Sequence, residues 1–298
     1  MSASRIAVVG SLSVDRSLLV DHPPAPGETV LGTGTSWSLG GKGGNQAVAA
    51  ARLGASVSLV AATGDDPEGL RLREGLEREG VDVSHVVAVP GVASGLAVIA
   101  VTEDGESTIL VDPGANRSLA PKHVAASAAE LRESAVVMIQ LETSLEVALA
   151  AARIAKGCVL LNPAPAPQGG LPDELLELVD VLVPNRVELA RIAQAPIPTT
   201  EREAASLASG LRGLRALVVT LGADGALLVR DGQVDHFPAT PVEVVDTTGA
   251  GDAFCGALAE SLGRAVGLDE AVARACRAAA MATRARGAQA ALPRRVDL

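Results

Sequence analysis

The sequence predicts an α/β fold with a central, mostly parallel sheet and helices on both of its faces. Short apolar runs rich in Val, Leu and Ile alternate along the chain with longer segments rich in Ala, Leu, Arg and Glu. Within the apolar runs, polar residues do not alternate with apolar ones, and this lack of alternation is typical of parallel strands buried on both faces. The 298 residues are 48% hydrophobic. This length fits one large α/β domain or two modest ones, and we expect a single domain over 1–298.

The same alternation gives the individual elements. Strands of the parallel sheet are predicted at 5–10, 57–62, 135–139, 158–162, 180–183 and 216–220. Helices are predicted at 44–53, 67–79, 121–132, 144–156, 172–178, 200–212, 252–263 and 268–284. Strands that alternate with helices in this way are typical of a parallel sheet with crossover helices.

Two regions interrupt this order and predict a small antiparallel sheet beside the parallel one. Residues 12–38 hold two extended stretches around a separator that is rich in proline. Residues 92–112 hold two strand-like runs around Glu103-Asp104-Gly105-Glu106, and Asp-Gly between strands is a hairpin signal. Such an appendage often serves as a lid or an interface. We therefore expect a β-lid built from about 12–38 and 92–112.

Composition argues against a nucleic-acid or membrane partner. Aromatic residues make up 1% of the chain and the net charge is -10, whereas nucleic acids call for stacking side chains and basic surfaces. No uninterrupted apolar run is long enough for a membrane span. The cysteines Cys158, Cys255 and Cys276 form no C-x-x-C pair, which favours buried thiols in a reducing cytosol. These features predict a cytoplasmic protein.

The strongest functional signal is the stretch Asp246-Thr247-Thr248-Gly249-Ala250-Gly251-Asp252. A small glycine-containing turn here leads directly into a predicted helix, whose free N–H groups and dipole favour an anion such as phosphate. Asp252 would repel that phosphate, so we interpret it as a catalytic base that takes a proton from the attacking hydroxyl. Its position at a helix N-terminus predicts a lowered pKa.

A second glycine-rich segment, Gly40-Gly41-Lys42-Gly43-Gly44-Asn45-Gln46, matches neither common nucleotide motif. A Walker A loop requires Ser or Thr after its Lys, but Gly43 follows Lys42. The first strand is followed by Gly10-Ser11-Leu12-Ser13 rather than G-x-G-x-x-G, which argues against a nicotinamide oxidoreductase. Glycines permit close approach to a ligand, so Lys42 and Asn45 could contact sugar hydroxyls. The alternative is a flexible loop with a solvated lysine and an Asn helix cap.

Polar residues follow the predicted strands at their carboxyl ends, where open parallel sheets bind ligands. They are Asp15, Glu142, Asn162, Asn185 with Glu188, and Thr220 to Gly225. Asp15 could accept two hydroxyl hydrogen bonds from a polyol, or it could be a surface acid in a turn. Asn185 and Glu188 could orient waters on Mg²⁺, or they could form a helix N-cap with its capping-box Glu.

The two glycine-containing segments resemble the signatures of the ribokinase, or PfkB, family of sugar kinases. Further stretches match that family in order and spacing over nearly the whole chain: Pro26-Gly27-Glu28-Thr29, Thr63-Gly64-Asp65-Asp66, Gly114-Ala115-Asn116, Gln140-Leu141-Glu142, Asn162-Pro163-Ala164-Pro165-Ala166, Leu171-Pro172-Asp173-Glu174-Leu175-Leu176, Pro184-Asn185, Glu188, Thr220-Leu221-Gly222 and Gly287-Ala288-Gln289. The resemblance implies ATP-dependent phosphorylation of the 5-hydroxyl of D-ribose by in-line transfer. It also implies a β-lid that pairs with its twin in a homodimer.

The resemblance implies a role for each matching residue. The catalytic base is Asp252, and the anion hole is formed by Gly249, Ala250 and Gly251. The substrate-binding residues are Ser13, Asp15, Gly41, Lys42, Asn45, Glu142 and Asp252. The ATP-binding residues are Asn185, Thr220, Gly222 and Gly225, and Glu188 holds Mg²⁺ through water. A monovalent cation, K⁺ or similar, is bound largely by backbone at Asp246, Thr248, Ala282, Ala285, Gly287 and Ala291.

Two positions depart from the family pattern. Ser13 stands where ribokinases usually have Asn in a sugar-contact segment, and Ser is shorter with fewer donors. Ala291 stands where ribokinases typically have Ser near the monovalent cation, so a backbone carbonyl would have to serve there. Two alternatives to ribose phosphorylation stay open. One is the same chemistry on 2-deoxyribose, another sugar or a nucleoside, and the other is a non-catalytic sugar or nucleotide sensor.

Overall fold

The computed structural model describes residues 4–102, 107–211 and 213–298; the predicted turn at 103–106 lies outside these ranges. The strands are β1 (Arg5–Val9), β2 (Ser13–Leu19), β3 (Gly34–Gly40), β4 (Ser56–Gly64), β5 (Val81–Asp82), β6 (Val86–Val89), β7 (Gly95–Val101), β8 (Ser107–Asp112), β9 (Val136–Gln140), β10 (Cys158–Asn162), β11 (Val181–Leu182), β12 (Ala216–Thr220), β13 (Ala226–Arg230) and β14 (Gln233–Phe237).

The helices follow the strands in the predicted alternation. They are α1 (Lys42–Arg52), α2 (Pro67–Arg78), α3 (Pro121–Ala126), α4 (Ala128–Glu133), α5 (Leu145–Ile154), α6 (Asp173–Leu176), α7 (Arg186–Ile192), α8 (Glu201–Gly210), α9 (Ala250–Gly263), α10 (Leu268–Ala282) and α11 (Ala288–Ala291). The predicted helix at 121–132 is two helices, because the backbone leaves helical geometry at Ser127. Among the described residues, no helix combines the length and apolarity needed to cross a membrane.

The large sheet has ten strands in the order β14-β13-β12-β11-β10-β9-β1-β4-β5, and β6 also pairs with β4. Its pairs are parallel except β12 with β13 and β13 with β14, which are antiparallel. The mostly parallel sheet is therefore as predicted. The antiparallel edge formed by β13 and β14 was not predicted.

Helices cover both faces of this sheet, as the lack of polar alternation predicted. Along β1, Ile6 and Val8 pack into the cluster that contains α1, α9 and α10. Ala7 and Val9 pack into the opposite cluster, which contains α5 and α8. Successive side chains of a strand point to opposite faces, so a strand with both faces buried requires a continuous apolar run.

A second sheet with the order β3-β2-β7-β8 stands beside the large one. Its outer pairs, β2 with β3 and β7 with β8, are antiparallel, whereas the central pair, β2 with β7, is parallel. The sequence predicted the antiparallel hairpins and missed their parallel junction. β2 starts four residues after β1 ends, so this lid sheet leaves the large sheet at the carboxyl end of its strands.

Candidate active site

The predicted base, Asp252, lies in the first turn of α9 and is 8% exposed. Two amides of α1 hold its carboxylate. The Nδ2 of Asn45 donates to Oδ2 over 2.9 Å, and the Nε2 of Gln46 donates to Oδ1 over 3.0 Å. The two glycine-containing segments therefore meet in space, although 207 residues separate Asn45 from Asp252.

Burial raises the pKa of the Asp252 carboxyl, and this effect exceeds the opposing influence of the Lys42 ammonium and the two amide hydrogen bonds. The prediction of a lowered pKa is therefore wrong. A helix N-terminus carries about half a unit charge, whereas removal of water from a carboxylate strongly disfavours its charged form. Once ionised, this carboxylate is a stronger base than an exposed one.

The predicted anion site corresponds to a left-handed glycine that leads into the N-terminus of α9. Gly249 has a left-handed φ of 79° and directly precedes the helix. Ala250 and Gly251 follow in its first turn, and the N–H of Ala250 donates to the carbonyl of Thr247 over 3.2 Å. A Cβ on Gly251 would meet open space, so a ligand can approach the backbone there.

The glycine-rich segment before α1 is a tight turn into a helix rather than a flexible loop. Gly41 has a φ of 84°, and a Cβ there would lie 2.7 Å from the Cα of Leu12. The helix begins at Lys42, earlier than predicted, so Asn45 does not cap it. The alternative of an Asn cap is therefore wrong, and the Asn45 side chain is directed to Asp252 instead.

Glu142 links this turn to the end of β9. Its Oε2 accepts a hydrogen bond from the backbone N–H of Lys42 over 2.9 Å and another from the hydroxyl of Ser11. Burial lowers the pKa of the Lys42 ammonium, but the carboxylates of Asp252, Glu142 and Glu188 outweigh burial and raise it. Lys42 therefore remains a cation among three acids.

The lid sheet brings Ser13 and Asp15 to the same crevice. The hydroxyl of Ser13 donates to Oδ1 of Asp15 over 2.8 Å. Burial raises the pKa of Asp15 to about 6, and the negative charges of Glu142 and Asp252 add to that rise. The structure therefore does not support the alternative of Asp15 as a fully solvated surface acid.

Asn185 and Glu188 form a capping box at the start of α7. Oδ1 of Asn185 accepts from the N–H of Glu188 over 2.8 Å, and Oε2 of Glu188 accepts from the N–H of Asn185 over 2.9 Å. Burial raises the pKa of Glu188, and its charge acts on Lys42, so the carboxylate also borders the crevice. The alternative of a helix N-cap with its capping-box Glu is thus correct. The capping box uses one carboxylate oxygen of Glu188 and leaves the other for a ligand.

The carboxyl end of β12 lies next to this capping box. Thr220 forms a backbone bridge with Asn185. Beyond it, Gly222 starts a short 3-10 turn and Gly225 follows with a φ of 88°. A Cβ on Gly225 would lie 2.0 Å from the carbonyl oxygen of Phe237, so only glycine fits between the turn and the end of β14.

Asp246 ties the turn before α9 to the segment after α10. Its Oδ1 accepts from the N–H and the hydroxyl of Thr248 over 2.9 and 2.6 Å, and its Oδ2 accepts from the N–H of Gly287 over 2.8 Å. Burial would raise the pKa of Asp246, but these hydrogen bonds outweigh burial and lower it. The remaining residues predicted for the cation site flank Gly287 in the chain: Ala282, Ala285 and Ala291.

Three polar residues at this site were not predicted to have a role. Ser11 donates to Glu142, Gln46 donates to Asp252, and Gln140 donates to Gln46. Gln46 and Gln140 occur inside segments that the sequence analysis singled out, and both are polar residues within apolar surroundings. That pattern was the available signal, since a buried amide requires partners.

The sequence resembles known carbohydrate kinases over nearly its full length. The profile of the pfkB family carbohydrate kinases matches residues 3–295. The ribokinase of Haemophilus influenzae is 37% identical over 297 residues, which cover 98% of this chain and 96% of that protein. The deoxyribokinase of Salmonella typhi is 36% identical over 299 residues, which cover 97% of this chain and 95% of that protein.

Solved structures agree with the sequence comparison. The ribokinase of Arabidopsis thaliana, complexed with ribose and ATP, has a TM-score of 0.91 at 29% identity and covers 99% of this chain and 97% of its own. The ribokinase of Thermotoga maritima has a TM-score of 0.86 at 33% identity and covers 98% and 97%. These structures confirm the predicted fold class. The profile match and the identity of the relatives together show that the chain belongs to the pfkB family of carbohydrate kinases.

Proposed function

We propose that this kinase transfers the γ-phosphoryl group of ATP to the primary 5-hydroxyl of D-ribose. The observation that carries the proposal is the buried Asp252 at the start of α9, which faces Asn45, Lys42 and the lid residue Asp15. A carboxylate beside an anion site suits proton removal from a hydroxyl that attacks phosphate. A relative named ribokinase at 37% identity, and a similar structure with ribose and ATP bound, support ribose as the acceptor.

In this proposal the sugar is held between the lid and α1. Asp15 and Glu142 accept hydrogen bonds from sugar hydroxyls, while Lys42 and Asn45 donate to them and Gly41 leaves room for the ring. Asp252 takes the proton of the 5-hydroxyl as the oxygen attacks phosphorus. The amides of 249–251 neutralise the charge on the transferred group. Positioning and charge neutralisation do most of the work, because a loose transition state needs little help from the base.

ATP is proposed to lie along the carboxyl ends of β11 and β12, beside Asn185, Thr220, Gly222 and Gly225. Mg²⁺ usually keeps several waters and touches phosphate. Glu188 fits such a role because it is buried beside the crevice and only its Oε2 is used in the capping box. When bound, the metal would draw negative charge from the phosphate oxygens.

We also propose a monovalent cation site beside the anion hole. Asp246 is a carboxylate with a lowered pKa, close to the backbone of Thr248 and Gly287. An ionised carboxylate together with backbone carbonyl oxygens is a set of oxygen ligands that suits K⁺. The carbonyls of Ala282, Ala285 and Ala291 would complete this set.

Replacement of the base tests the proposed function. Asp252→Asn keeps the shape of the side chain and loses its proton affinity, so kcat with ATP and ribose should fall on the order of 100-fold or more, ~3 kcal/mol. A coupled assay for ADP measures this, and thermal unfolding checks that the variant is folded. A folded variant with near-normal turnover would refute the assignment of Asp252.

The second candidate substrate is 2-deoxyribose, which Ser13 favours. The Ser13 hydroxyl is already bonded to Asp15, so this position offers a sugar fewer donors than Asn would. A site that cannot bond a particular hydroxyl discriminates weakly against a sugar that lacks it. The relative named deoxyribokinase at 36% identity is consistent with this candidate.

A substrate screen separates the candidates. We expect kcat/KM to be highest for ribose among pentoses, hexoses and nucleosides, with measurable activity on 2-deoxyribose. Ser13→Asn should raise the ratio of kcat/KM for ribose over 2-deoxyribose several-fold. A higher kcat/KM for 2-deoxyribose in the unmodified enzyme would replace ribose as the proposed substrate.

We propose finally that the lid pairs with a second copy of the chain. Its strands β3 and β8 carry exposed apolar side chains, Trp37, Ile109, Leu110 and Val111. Strand register places Trp37 and Leu110 on one face of this sheet and Ile109 and Val111 on the other. Exposed apolar groups at the two edges of a small sheet need cover, and a partner surface supplies it. A homodimer would bury these side chains next to the crevice.

A further inference from the structure

A chain of buried side-chain amides runs from the large sheet to Asp252. The Nε2 of Gln140, at the end of β9, donates to Oε1 of Gln46 over 2.7 Å. The Nε2 of Gln46 then donates to Oδ1 of Asp252 and to Oδ1 of Asn162, both over 3.0 Å. Gln46 and Gln140 are both 0% exposed, so water cannot substitute for these partners.

The hydrogen bonds in this chain of amides have a fixed direction. Asn162 donates through Nδ2 to the carbonyl of Val183 over 2.8 Å, which turns its oxygen toward Gln46. Gln140 presents an amino group to the other end of the Gln46 amide. An amide has an accepting end and a donating end, so the oxygens of Asn162 and Asp252 both require Gln46 to present its NH₂ group. Gln140 then donates to the remaining oxygen of Gln46, while its own Oε1 has no partner among the described residues.

The two oxygens of Asp252 are therefore not equivalent. Oδ1 is held by Gln46, which is part of the buried chain. Oδ2 is held by Asn45, which the proposed function assigns to the sugar and whose Oδ1 is buried with no hydrogen-bond partner among the described residues. Each oxygen accepts one hydrogen bond and keeps a further acceptor site. A sugar hydroxyl that engages Asn45 comes next to Oδ2, whereas Oδ1 lies on the side of the buried Gln46.

We propose that Gln46, oriented by Gln140 and Asn162, is a positioning residue that fixes Oδ1 of Asp252 and assigns proton transfer to Oδ2. This inference rests on the proposed role of Asp252 as the base. A carboxylate free to rotate presents its oxygens in many orientations, and a small misplacement of a reacting group costs much of the rate. Gln46 touches neither the sugar nor the phosphate in this arrangement.

Room for the chain depends on a glycine at the end of β1. A Cβ on Gly10 would lie 1.9 Å from Oε1 of Gln140, so any larger residue would displace that side chain. The position of the amide chain is thus set by β1, β9 and β10, which are adjacent strands in the middle of the sheet. Rigid surroundings of this kind suit a positioning role.

The test is Gln46→Met, which keeps approximate length and removes both ends of the amide. We expect kcat to fall ten-fold or more, while KM for sugar and for ATP changes less than three-fold. The Gln46 hydrogen bond lowers the pKa of Asp252, so its removal should move the acidic limb of the kcat–pH profile to higher pH. Gln140→Met should produce both effects to a smaller extent, because Asn162 still orients Gln46.

The matched control is Glu260→Gln. Glu260 is another buried polar residue of α9, paired with Arg264 and Arg274 away from the crevice. The Glu260→Gln variant should have a lower melting temperature, and the acidic limb of its kcat–pH profile should stay in place. Other titratable groups around the base are common to all three variants and cannot cause a difference among them: Lys42, Glu142, Glu188, Asp15 and Cys255.

The profile is measured with whichever sugar the enzyme phosphorylates best, at saturating concentration, with Asp252→Asn in parallel. An inactive Asp252→Asn together with an unshifted limb and normal kcat in folded Gln46→Met would overturn this inference alone. An active Asp252→Asn would overturn the assignment of the base and this inference with it. If Gln46→Met does not fold, a limb in Gln140→Met that matches the unmodified enzyme also overturns the inference.

Discussion

Burial controls the charges of the individual side chains in this crevice. It raises the pKa of Asp15, Glu188 and Asp252, and Lys42 is the cation that lies among them. The acids therefore hold their protons to higher pH than exposed carboxyls do. Sugar binding and proton transfer both require ionised carboxylates, so each should fail on the acidic side of neutrality.

Sugar affinity should depend on the charge of Asp15. With a pKa of about 6, Asp15 loses its carboxylate as the pH falls through 6 and then cannot accept two hydroxyl hydrogen bonds. We expect KM for the sugar to rise between pH 7 and pH 5, measured by initial rates with saturating ATP. Asp15→Asn should raise KM at all pH values and abolish this dependence. A KM that is flat down to pH 5 in the unmodified enzyme would contradict the role of Asp15.

The same raised pKa has a consequence for stability. Asp15 has a higher pKa in the folded chain than in the unfolded chain, so the folded state binds the proton more tightly. Its contribution to stability is present below the ordinary pKa of Asp and is lost as the pH rises through about 6. Asp15→Asn removes this dependence, so its free energy of unfolding should change less between pH 5 and pH 7. An equal change in both proteins, measured by urea unfolding, would contradict the burial of this carboxylate.

At the residue scale, the grouping of Asp252, Asn45, Lys42 and Asp15 was predictable from sequence and their charge states were not. Asp252 and Asn45 were identified because each follows a glycine-rich segment. The pKa of Asp252 was predicted in the wrong direction, since a sequence shows the helix start and does not show how much protein surrounds it. Gln46 was missed for a related reason, because its partner Gln140 comes from a distant strand.

The start of α9 is the element on which the proposed site depends, because it would supply both the proposed base and the amides of the proposed anion hole. Its geometry requires Gly249, whose φ is 79°. A Cβ there would lie 3.0 Å from the Cα of Ala288, in the segment that Asp246 ties to this turn. The turn before α9 is therefore held by the hydrogen bond from Gly287 to Asp246 and by the close packing of Gly249 against Ala288.

Two glycines of this turn should respond in opposite ways to the same substitution. Gly249→Ala adds a side chain in left-handed backbone and should destabilise the protein by about 1–3 kcal/mol. Gly251→Ala places its methyl in open space within a helix and should stabilise by about 0.5–1 kcal/mol. Urea unfolding of the two variants measures both effects. Equal stability of the two variants would show that the left-handed conformation is not required.

At the element scale, the sequence predicted the central parallel strands, including the two-residue β11, and missed β5, β6, β13 and β14 toward the edges of the large sheet. Strands 158–162 and 216–220 were predicted with correct bounds because they are buried, continuous apolar runs. β5 has two residues and gives no periodic signal. The exposed β14 contains Asp235 and His236 and lacks an apolar run. Its pairing with β13 comes from tertiary context, which overrides local preference.

The lid sheet carries several exposed apolar side chains at its two edge strands, and the proposed dimer would cover some of them. Leu110→Glu places a charge at a position that is 70% exposed in the single chain. We expect the unmodified protein to have the mass of a dimer by light scattering and Leu110→Glu to have the mass of a monomer. Ile197→Glu, which alters an exposed apolar residue away from the lid, is the control and should remain a dimer. A monomeric unmodified protein would contradict the proposed pairing.

Family membership confirms the predicted carbohydrate kinase at the scale of the whole molecule. That conclusion was accessible from sequence because the two glycine-containing segments and the strand-end residues occur together in one chain. The cytoplasmic location and the homodimer stay predictions. The choice of acceptor was not accessible, because it depends on how Ser13 and Asp15 are placed by a sheet whose parallel junction the sequence did not reveal.

The lid supplies only part of the proposed sugar contacts, whereas the proposed base belongs to the core. The base lies on α9, which packs among α1 and α10 in the core, whereas Ser13 and Asp15 lie on β2 of the lid. After a gene duplication, lid substitutions could therefore change part of the sugar contacts in one copy, while the contacts from α1 and the proposed chemistry would be inherited intact with the core. Enzymes built in this way should change their sugar substrate more readily during evolution than the reaction that they catalyse.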